Sequence, residues 1–225
     1  MIKAEQKPID QIRKMIADYP RVLIVGCGTC VTICFAGGER EVADLASLLR
    51  LMERQQGTQK QFLEATVKRV CEREFVDPLI PKQAEVDAVL SLSCAVGVQY
   101  LAERFPKLPV LPGVNTSFLG LIEERWQWNE VCVACGDCIL HLTGGICPIA
   151  RCAKGLFNGP CGGSVGGKCE ISPEVPCAWQ KIYDRMASLG QLQKLEEVQP
   201  VRNWVSNQAA GPRRTIREDL KITGK

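Results

Sequence analysis

Thirteen cysteines against a single histidine constrain this chain more than any other feature of its 225 residues. With His141 alone, neither a two-histidine zinc finger nor a histidine-rich metal site can be built. A Ser-His-Asp site would need the same residue, which lies among cysteines and glycines and next to no nucleophile motif. Residues 1–9 hold no long apolar core, so no export signal is expected, and no apolar run approaches the ~20 residues of a membrane span. The expected compartment is therefore the cytoplasm, where disulfides do not persist and dense cysteine points to metal. Thirteen is also an odd number, which a closed disulfide framework would not favour. The formal net charge of +3 is too small to make nucleic acid the main partner.

The first half alternates strand and helix patterns. Ile9, Ile12 and Ile16 recur at helical spacing and stop before Pro20, and residues 22–25 form an apolar run entering Gly26. Val42, Leu45, Ala46, Leu49 and Met52 keep one face apolar over 39–54. Strands are expected at 62–67, 88–92 and 110–111, and a helix through Val98, Leu101, Ala102 and Phe105. This order predicts an α/β domain over 1–125, a half-Rossmann-like parallel sheet with crossover helices.

Near Arg125 the texture changes. Residues 132–177 carry eight cysteines and many glycines with little hydrophobic periodicity. Such a segment has no apolar core to bury and must be organised around something else. A second, irregular cysteine-rich domain is therefore expected over 126–198. It closes with a helix bearing Trp179, Ile182, Tyr183, Met186 and Leu189. Residues 199–225 read as an extended tail; from Val198 onward the chain holds six basic and two acidic residues, which suits either a solvated segment or one docking a partner.

Cys27, Cys30 and Cys34 follow the first predicted sheet strand as C-x2-C-x3-C, while Cys71 and Cys94 follow the next two. Loops after the carboxyl ends of parallel strands gather on one edge, so these five thiols should converge there. Four thiolates satisfy one [4Fe–4S] cluster and leave a spare; a structural zinc ion takes four equally well. Gly26, Gly28, Gly37 and Gly38 could aim N–H groups at cluster sulfurs, and the helix from Glu39 could point its positive end there. Cys132, Cys135 and Cys138 form C-x2-C-x2-C, the opening of a ferredoxin cluster loop, but eight residues and not three separate Cys138 from the next cysteine, Cys147, although Pro148 follows it. With Cys152, Cys161, Cys169 and Cys177 the count is eight, enough for two four-thiolate sites. No phosphate-binding loop and no dinucleotide fingerprint is present.

Val25-Gly26-Cys27-Gly28-Thr29-Cys30, Phe35-Ala36-Gly37-Gly38-Glu39, Cys135-Gly136-Asp137-Cys138, Thr143-Gly144-Gly145-Ile146-Cys147-Pro148, Asn158-Gly159-Pro160-Cys161-Gly162-Gly163 and Gly167-Lys168-Cys169-Glu170 together resemble the methylenetetrahydrofolate reductase C-terminal domain family. The likeness covers about 22–179 and is nearest to the small iron–sulfur subunits of acetogen-type reductase complexes. It implies two or three [4Fe–4S] clusters, with zinc an alternative at a site; Cys27, Cys30, Cys34, Cys71 and Cys94 match the family's amino-terminal cysteines and the other eight its carboxyl-terminal set. It implies no flavin on this chain, since flavin and folate chemistry belong to a separate catalytic subunit. The implied role is to bring electrons to that flavin for reduction of methylene- to methyl-tetrahydrofolate in the Wood–Ljungdahl pathway. The upstream donor would be a ferredoxin, a nicotinamide-oxidising flavoprotein or a heterodisulfide-reductase-like module. A zinc-holding scaffold subunit of the same complex is the alternative.

No catalytic residue is expected. Glu123 and Glu124 are adjacent and point to different faces. Asp137 could tune a cluster or cap its turn, and Lys154 and Lys168 could offset cluster charge or face solvent. Trp126 and Trp128 are candidates for a partner contact or for packing.

Overall fold

Runs of β-branched and aliphatic residues alternate with amphipathic stretches through the first 128 residues. The computed structural model describes residues 1–124, 127–207 and 211–216, and the chain divides into two units, Met1–Trp128 and Asn129–Lys225. In chain order the first unit holds β1 (Ile2–Gln6), α1 (Ile9–Met15), β2 (Arg21–Cys27), α2 (Cys30–Ile33), α3 (Glu39–Gln56), β3 (Gln61–Val67), α4 (Arg73–Val76), β4 (Ala88–Leu92), α5 (Ala95–Arg104), β5 (Val110–Pro112) and β6 (Val114–Glu124). A further strand, β7 (Gln127–Cys132), runs across the division.

Four of these strands make the expected parallel sheet, in the order β3-β2-β4-β5. The central pair, β2 and β4, pairs Val22 with Ala88 through Gly26 with Leu92, and residues 22–25 and 88–90 are wholly buried. That is why these segments read as unbroken apolar runs and not as alternation. At the edge, β3 alternates and buries only Phe62. One stripe of α3 (Val42, Leu45, Ala46, Leu49) packs on β2 and β3. The helix ends at Gly57, whose φ of +69° favours glycine. From the central β2 the chain steps to β3 on one side, then to β4 and β5 on the other. The gap between β2 and β4 is thus a topological switch point, where ligands of open α/β sheets bind.

A second sheet, β1-β6-β7, was not anticipated. Its strands β1 and β6 pair antiparallel from Ile2 opposite Leu119 to Gln6 opposite Val114, with a bulge at Lys3/Ala4. They are short or polar (burial is confined to Lys3 and Ala4 in β1, and to Val114 and Gly120 in β6), so no period-2 apolar signal marks them. Trp128 packs on the core of this unit, with the Lys3 ammonium 4.9 Å from its ring centre. The other tryptophan singled out, Trp126, lies outside the described residues.

In the second unit regular elements are few: α6 (Pro148–Arg151), a hairpin of β8 (Lys168–Cys169) and β9 (Ser172–Pro176), and α7 (Ala178–Ser188), with short 3-10 turns at Leu140–Leu142, Leu192–Glu196 and Trp204–Ser206. Its core is small: Cys177, Trp179, Ile182 and Met186, flanked by Ile146, Cys152, Leu156, Leu192 and Leu195. The expected final helix is α7, and its apolar stripe supplies most of that core. No described helix is long and apolar enough to cross a membrane.

Candidate metal centres

The sheet brings the amino-terminal cysteines to its carboxyl edge. Cys27 is the last residue of β2, Cys30 the first of α2, Cys94 the residue that caps α5 after β4, and Cys71 lies in the loop after β3. Cys27, Cys34 and Cys94 are buried, Cys30 is half-buried and Cys71 exposed. Desolvation of the Cys71 thiol, then the neighbouring Cys27 and Cys94, push its pKa up. Arg69 lies close enough to Cys71 and Cys30 to feel both. The Cys27 sulfur is 3.3 Å from the Thr29 hydroxyl and reaches the Lys68 carbonyl at 4.0 Å, on the loop that carries Cys71. Cys27, Cys30, Cys71 and Cys94 are therefore neighbours at the switch point. The Cys34 thiol instead has its hydrogen-bond partner on β1, donating to the Ile2 carbonyl at 3.5 Å.

The glycines around this edge allow close packing. The Gly28 N–H donates to the Val67 carbonyl (2.9 Å) and that of Gly38 to the Glu41 carboxylate (2.8 Å). A Cβ on Gly37 would stand 1.8 Å from the Leu92 carbonyl oxygen, and one on Gly26 would stand 2.6 Å from Val42. The amino end of α3, expected to face a cluster, is instead occupied by Glu41, because a carboxylate in the first turn satisfies both the free N–H groups and the dipole.

Four of the carboxyl-terminal cysteines share one enclosure. Cys152, Cys161, Cys169 and Cys177 line a cavity of about 20 Å³, walled also by Ser164 and by Trp179. Cys152 follows α6, Cys169 ends β8, Cys177 caps α7, and Cys161 lies in the glycine-rich loop. Two turns allow the loops to reach there: Gly159 and Gly162 take φ of +109° and +77°. The Trp179 indole N–H donates to the Leu156 carbonyl at 3.1 Å and fixes one wall. Lys154, one of the two lysines expected to offset charge, pairs with Glu170, whose carboxylate also accepts from the Cys161 thiol at 3.8 Å. The Ser164 hydroxyl is buried with no hydrogen-bond partner.

Cys132, Cys135 and Cys138 lie on the loop leaving β7, and Cys147 caps α6, its sulfur accepting the Ala150 N–H at 3.5 Å. Sequence reading missed what covers this loop. Arg202 donates through Nη2 to the Cys135 sulfur at 3.1 Å and to the Asp137 carbonyl. The Ser206 hydroxyl donates to the Cys135 carbonyl at 3.0 Å, and Arg213 donates to the carbonyls of Ala134 (3.2 Å) and Ser206 (2.6 Å). The Arg-x-Trp pair in an otherwise featureless tail was the one available signal. Of the other polar candidates, His141 and the Glu123–Glu124 pair are exposed, and the Asp137 carboxylate is 62% exposed.

Among the described residues no three His, Cys, Asp or Glu side chains are set at metal-holding distance. The donor chemistry of the one shared cavity nevertheless suits a tetrathiolate group, since four thiols line it.

Fold and site together define a mixed α/β protein in which a four-stranded parallel sheet carries thiols at its switch point and a cysteine-rich unit follows. Residues 111–205 match the model of the family described as methylene-tetrahydrofolate reductase C terminal. The match runs from β5 through Trp204 and takes in the eight later cysteines, while Cys27, Cys30, Cys34, Cys71 and Cys94 lie before it. No curated protein and no solved structure matches the chain.

Proposed function

We propose that this chain is the electron-transfer subunit of a methylenetetrahydrofolate reductase complex. It would deliver electrons to the flavin of a separate catalytic subunit, for reduction of methylene- to methyl-tetrahydrofolate in the Wood–Ljungdahl pathway of a cytoplasmic one-carbon metabolism. Its own donor is a ferredoxin, a nicotinamide-oxidising flavoprotein or a heterodisulfide-reductase-like module. The observation that carries this reading is the family match, joined to thirteen cysteines against a single histidine. When bound, [4Fe–4S] clusters supply one-electron storage at low potential.

The residues that would hold such groups sort into sets. Cys27, Cys30, Cys71 and Cys94 form the first, with Cys34 the spare that the count of five requires. Cys152, Cys161, Cys169 and Cys177 form a second, and Cys132, Cys135 and Cys138 with Cys147 complete a third. Around the second set Trp179 and α7 supply an apolar wall.

A second reading is favoured by one observation. A cavity of about 20 Å³ has room for a single ion or water more readily than for a cubane. Zinc held by Cys152, Cys161, Cys169 and Cys177 would make the chain, wholly or at that site, a structural subunit of the same complex. Anaerobic purification followed by iron, sulfide and zinc analysis with a visible spectrum decides between them. Brown protein with roughly eight to twelve irons and equal sulfide, the content of two or three cubanes, is expected. Colourless protein with zinc and no sulfide would refute the electron-transfer reading.

A further inference from the structure

Arg202 is buried in a way that its protein neighbours do not explain. Its side chain is only 4% exposed, and Nε and Nη1 have no hydrogen-bond partner. A guanidinium stays charged at every accessible pH, and burying a cation without a counter-charge is costly. The Asp137 carboxylate stands 3.9 Å away and is largely in water, where its charge is screened. The group that the guanidinium touches is the Cys135 sulfur, at 3.1 Å from Nη2. A neutral thiol offers no counter-charge. A thiolate bound to a metal centre does.

The arrangement that seats Arg202 is built. Trp204 lays its ring 5.2 Å from the guanidinium carbon, a cation–π contact that also shields it. The Ser206 hydroxyl ties the strap to the Cys135 carbonyl. Gly136 lets the two backbones meet: a Cβ there would lie 2.4 Å from the Ser206 carbonyl oxygen, and its φ is +87°. Ala134 is held at φ +51°, a conformation costly for a residue with a Cβ, while Arg213 holds its carbonyl.

We propose that Arg202 is a positioning residue that fixes the Cys135 sulfur and raises the reduction potential of the centre held by the 132–138 loop. This rests on the iron–sulfur reading above. An N–H donated to a ligand sulfur withdraws electron density, and a fixed positive charge stabilises the reduced, more negative state. Both effects strengthen in a buried, low-dielectric setting. The unpartnered Nε and Nη1 leave further donors for the same anionic group.

The test uses the full chain, loaded and anaerobic, with iron and sulfide content and an EPR-monitored redox titration as readouts. The couple that disappears in Cys135→Ser identifies the centre. In Arg202→Gln that couple is expected to keep its iron and to move to more negative potential, a loss of roughly tenfold in preference for the reduced state, about 59 mV for one electron. Arg202→Lys, which keeps the charge without the fork, recovers part of the shift. Arg213→Gln, which loses only carbonyl contacts, leaves the potential in place. An unchanged midpoint in fully loaded Arg202→Gln overturns the proposal while the electron-transfer reading stands. Loss of the centre in both Gln and Lys variants also overturns it, since Arg202 is then a structural strap alone. Wild-type protein without iron or sulfide brings down the electron-transfer reading first, before any variant is compared.

Discussion

Gly37→Ala should damage the amino-terminal thiol site through the sheet, not through any ligand. Gly37 lies between α2 and α3 and passes the end of β4 so closely that an added Cβ would stand 1.8 Å from the Leu92 carbonyl oxygen and 2.8 Å from its carbon. Ordinary contact begins at 3.4 Å, so the segments must part by about 1.6 Å (3.4 − 1.8). Neither side has slack. Leu92 is wholly buried, and the Gly37 carbonyl holds the Cys27 N–H at 2.9 Å. Overpacking of a core costs typically 1–3 kcal/mol, and a clash of backbone on backbone falls at the upper end, about 3 kcal/mol. Because Cys94 follows Leu92 by two residues, the displacement reaches two thiols of the first set. Urea unfolding followed by far-UV circular dichroism measures the stability, and metal content measures the site. Gly57→Ala is the comparison: its φ is +69° but nothing lies within 4 Å, so only the backbone conformation is penalised, by about 1–2 kcal/mol. If Gly37→Ala is no less stable than Gly57→Ala and loads the same metal, the close approach of loop and strand is not a constraint and the reasoning fails.

Cys34→Ser should keep the full metal content of the amino-terminal site, while Cys71→Ser and Cys94→Ser lose it; metal analysis of the three variants checks this, and loss in Cys34→Ser would put that residue back among the ligands. Chelation of the loaded protein should release amide protection across 132–177 and in α7, where the core is four residues, yet leave β2 and β4 protected; hydrogen exchange read by mass spectrometry tells the two units apart. Asp87 accepts from the Arg21 side chain (2.7 and 3.1 Å) and backbone N–H (2.9 Å), and the Arg21 hydrogen bond is the first cause holding its carboxyl below the usual carboxylate range. A depressed folded pKa contributes stability that is present above the ordinary carboxylate value and lost as pH falls through the folded one. Asp87→Asn should therefore be less stable than wild type at neutral pH, with the difference shrinking as acid protonates Asp87; urea midpoints across pH 7 to 3 test it, and a difference that grows on acidification would contradict it.

The parallel sheet was legible because burial on both faces writes an unbroken apolar run, as at 22–25 and 88–92, and a periodic stripe marks α3 and α7. Placing Cys27, Cys71 and Cys94 on one edge needed only that sheet and the rule for its carboxyl ends. Three things were not legible. Strands β1 and β6 carry little apolar signal because they bury only Lys3 and Ala4, and Val114 and Gly120. The partner of the Cys34 thiol, the Ile2 carbonyl, lies on β1, and an unrecognised strand made that contact invisible. Arg202 meets Cys135 across sixty-seven residues of chain, and no local pattern encodes a contact of that range.

The two units place their thiols by different physics, and this bears on how each would take up metal. In the first, Cys27 and Cys94 are fixed by β-strands whose cores exclude water without help, so the thiols are preorganised and the entropy of gathering them is already spent in folding the sheet. In the second, four core residues cannot hold more than forty residues of loop, and the positive-φ turns at Gly136, Gly159 and Gly162 specify paths without binding them together. Arg202, Ser206 and Arg213 fasten one loop, 132–138, by side chains donated to the sulfur of Cys135 and to carbonyls. The set of Cys152, Cys161, Cys169 and Cys177 depends on α7, on the paired hydrogen bonds between Asn158 and Gln199, and on any group it binds. Ordering of that unit should therefore track metal loading, whereas the switch-point site should already be folded when metal arrives.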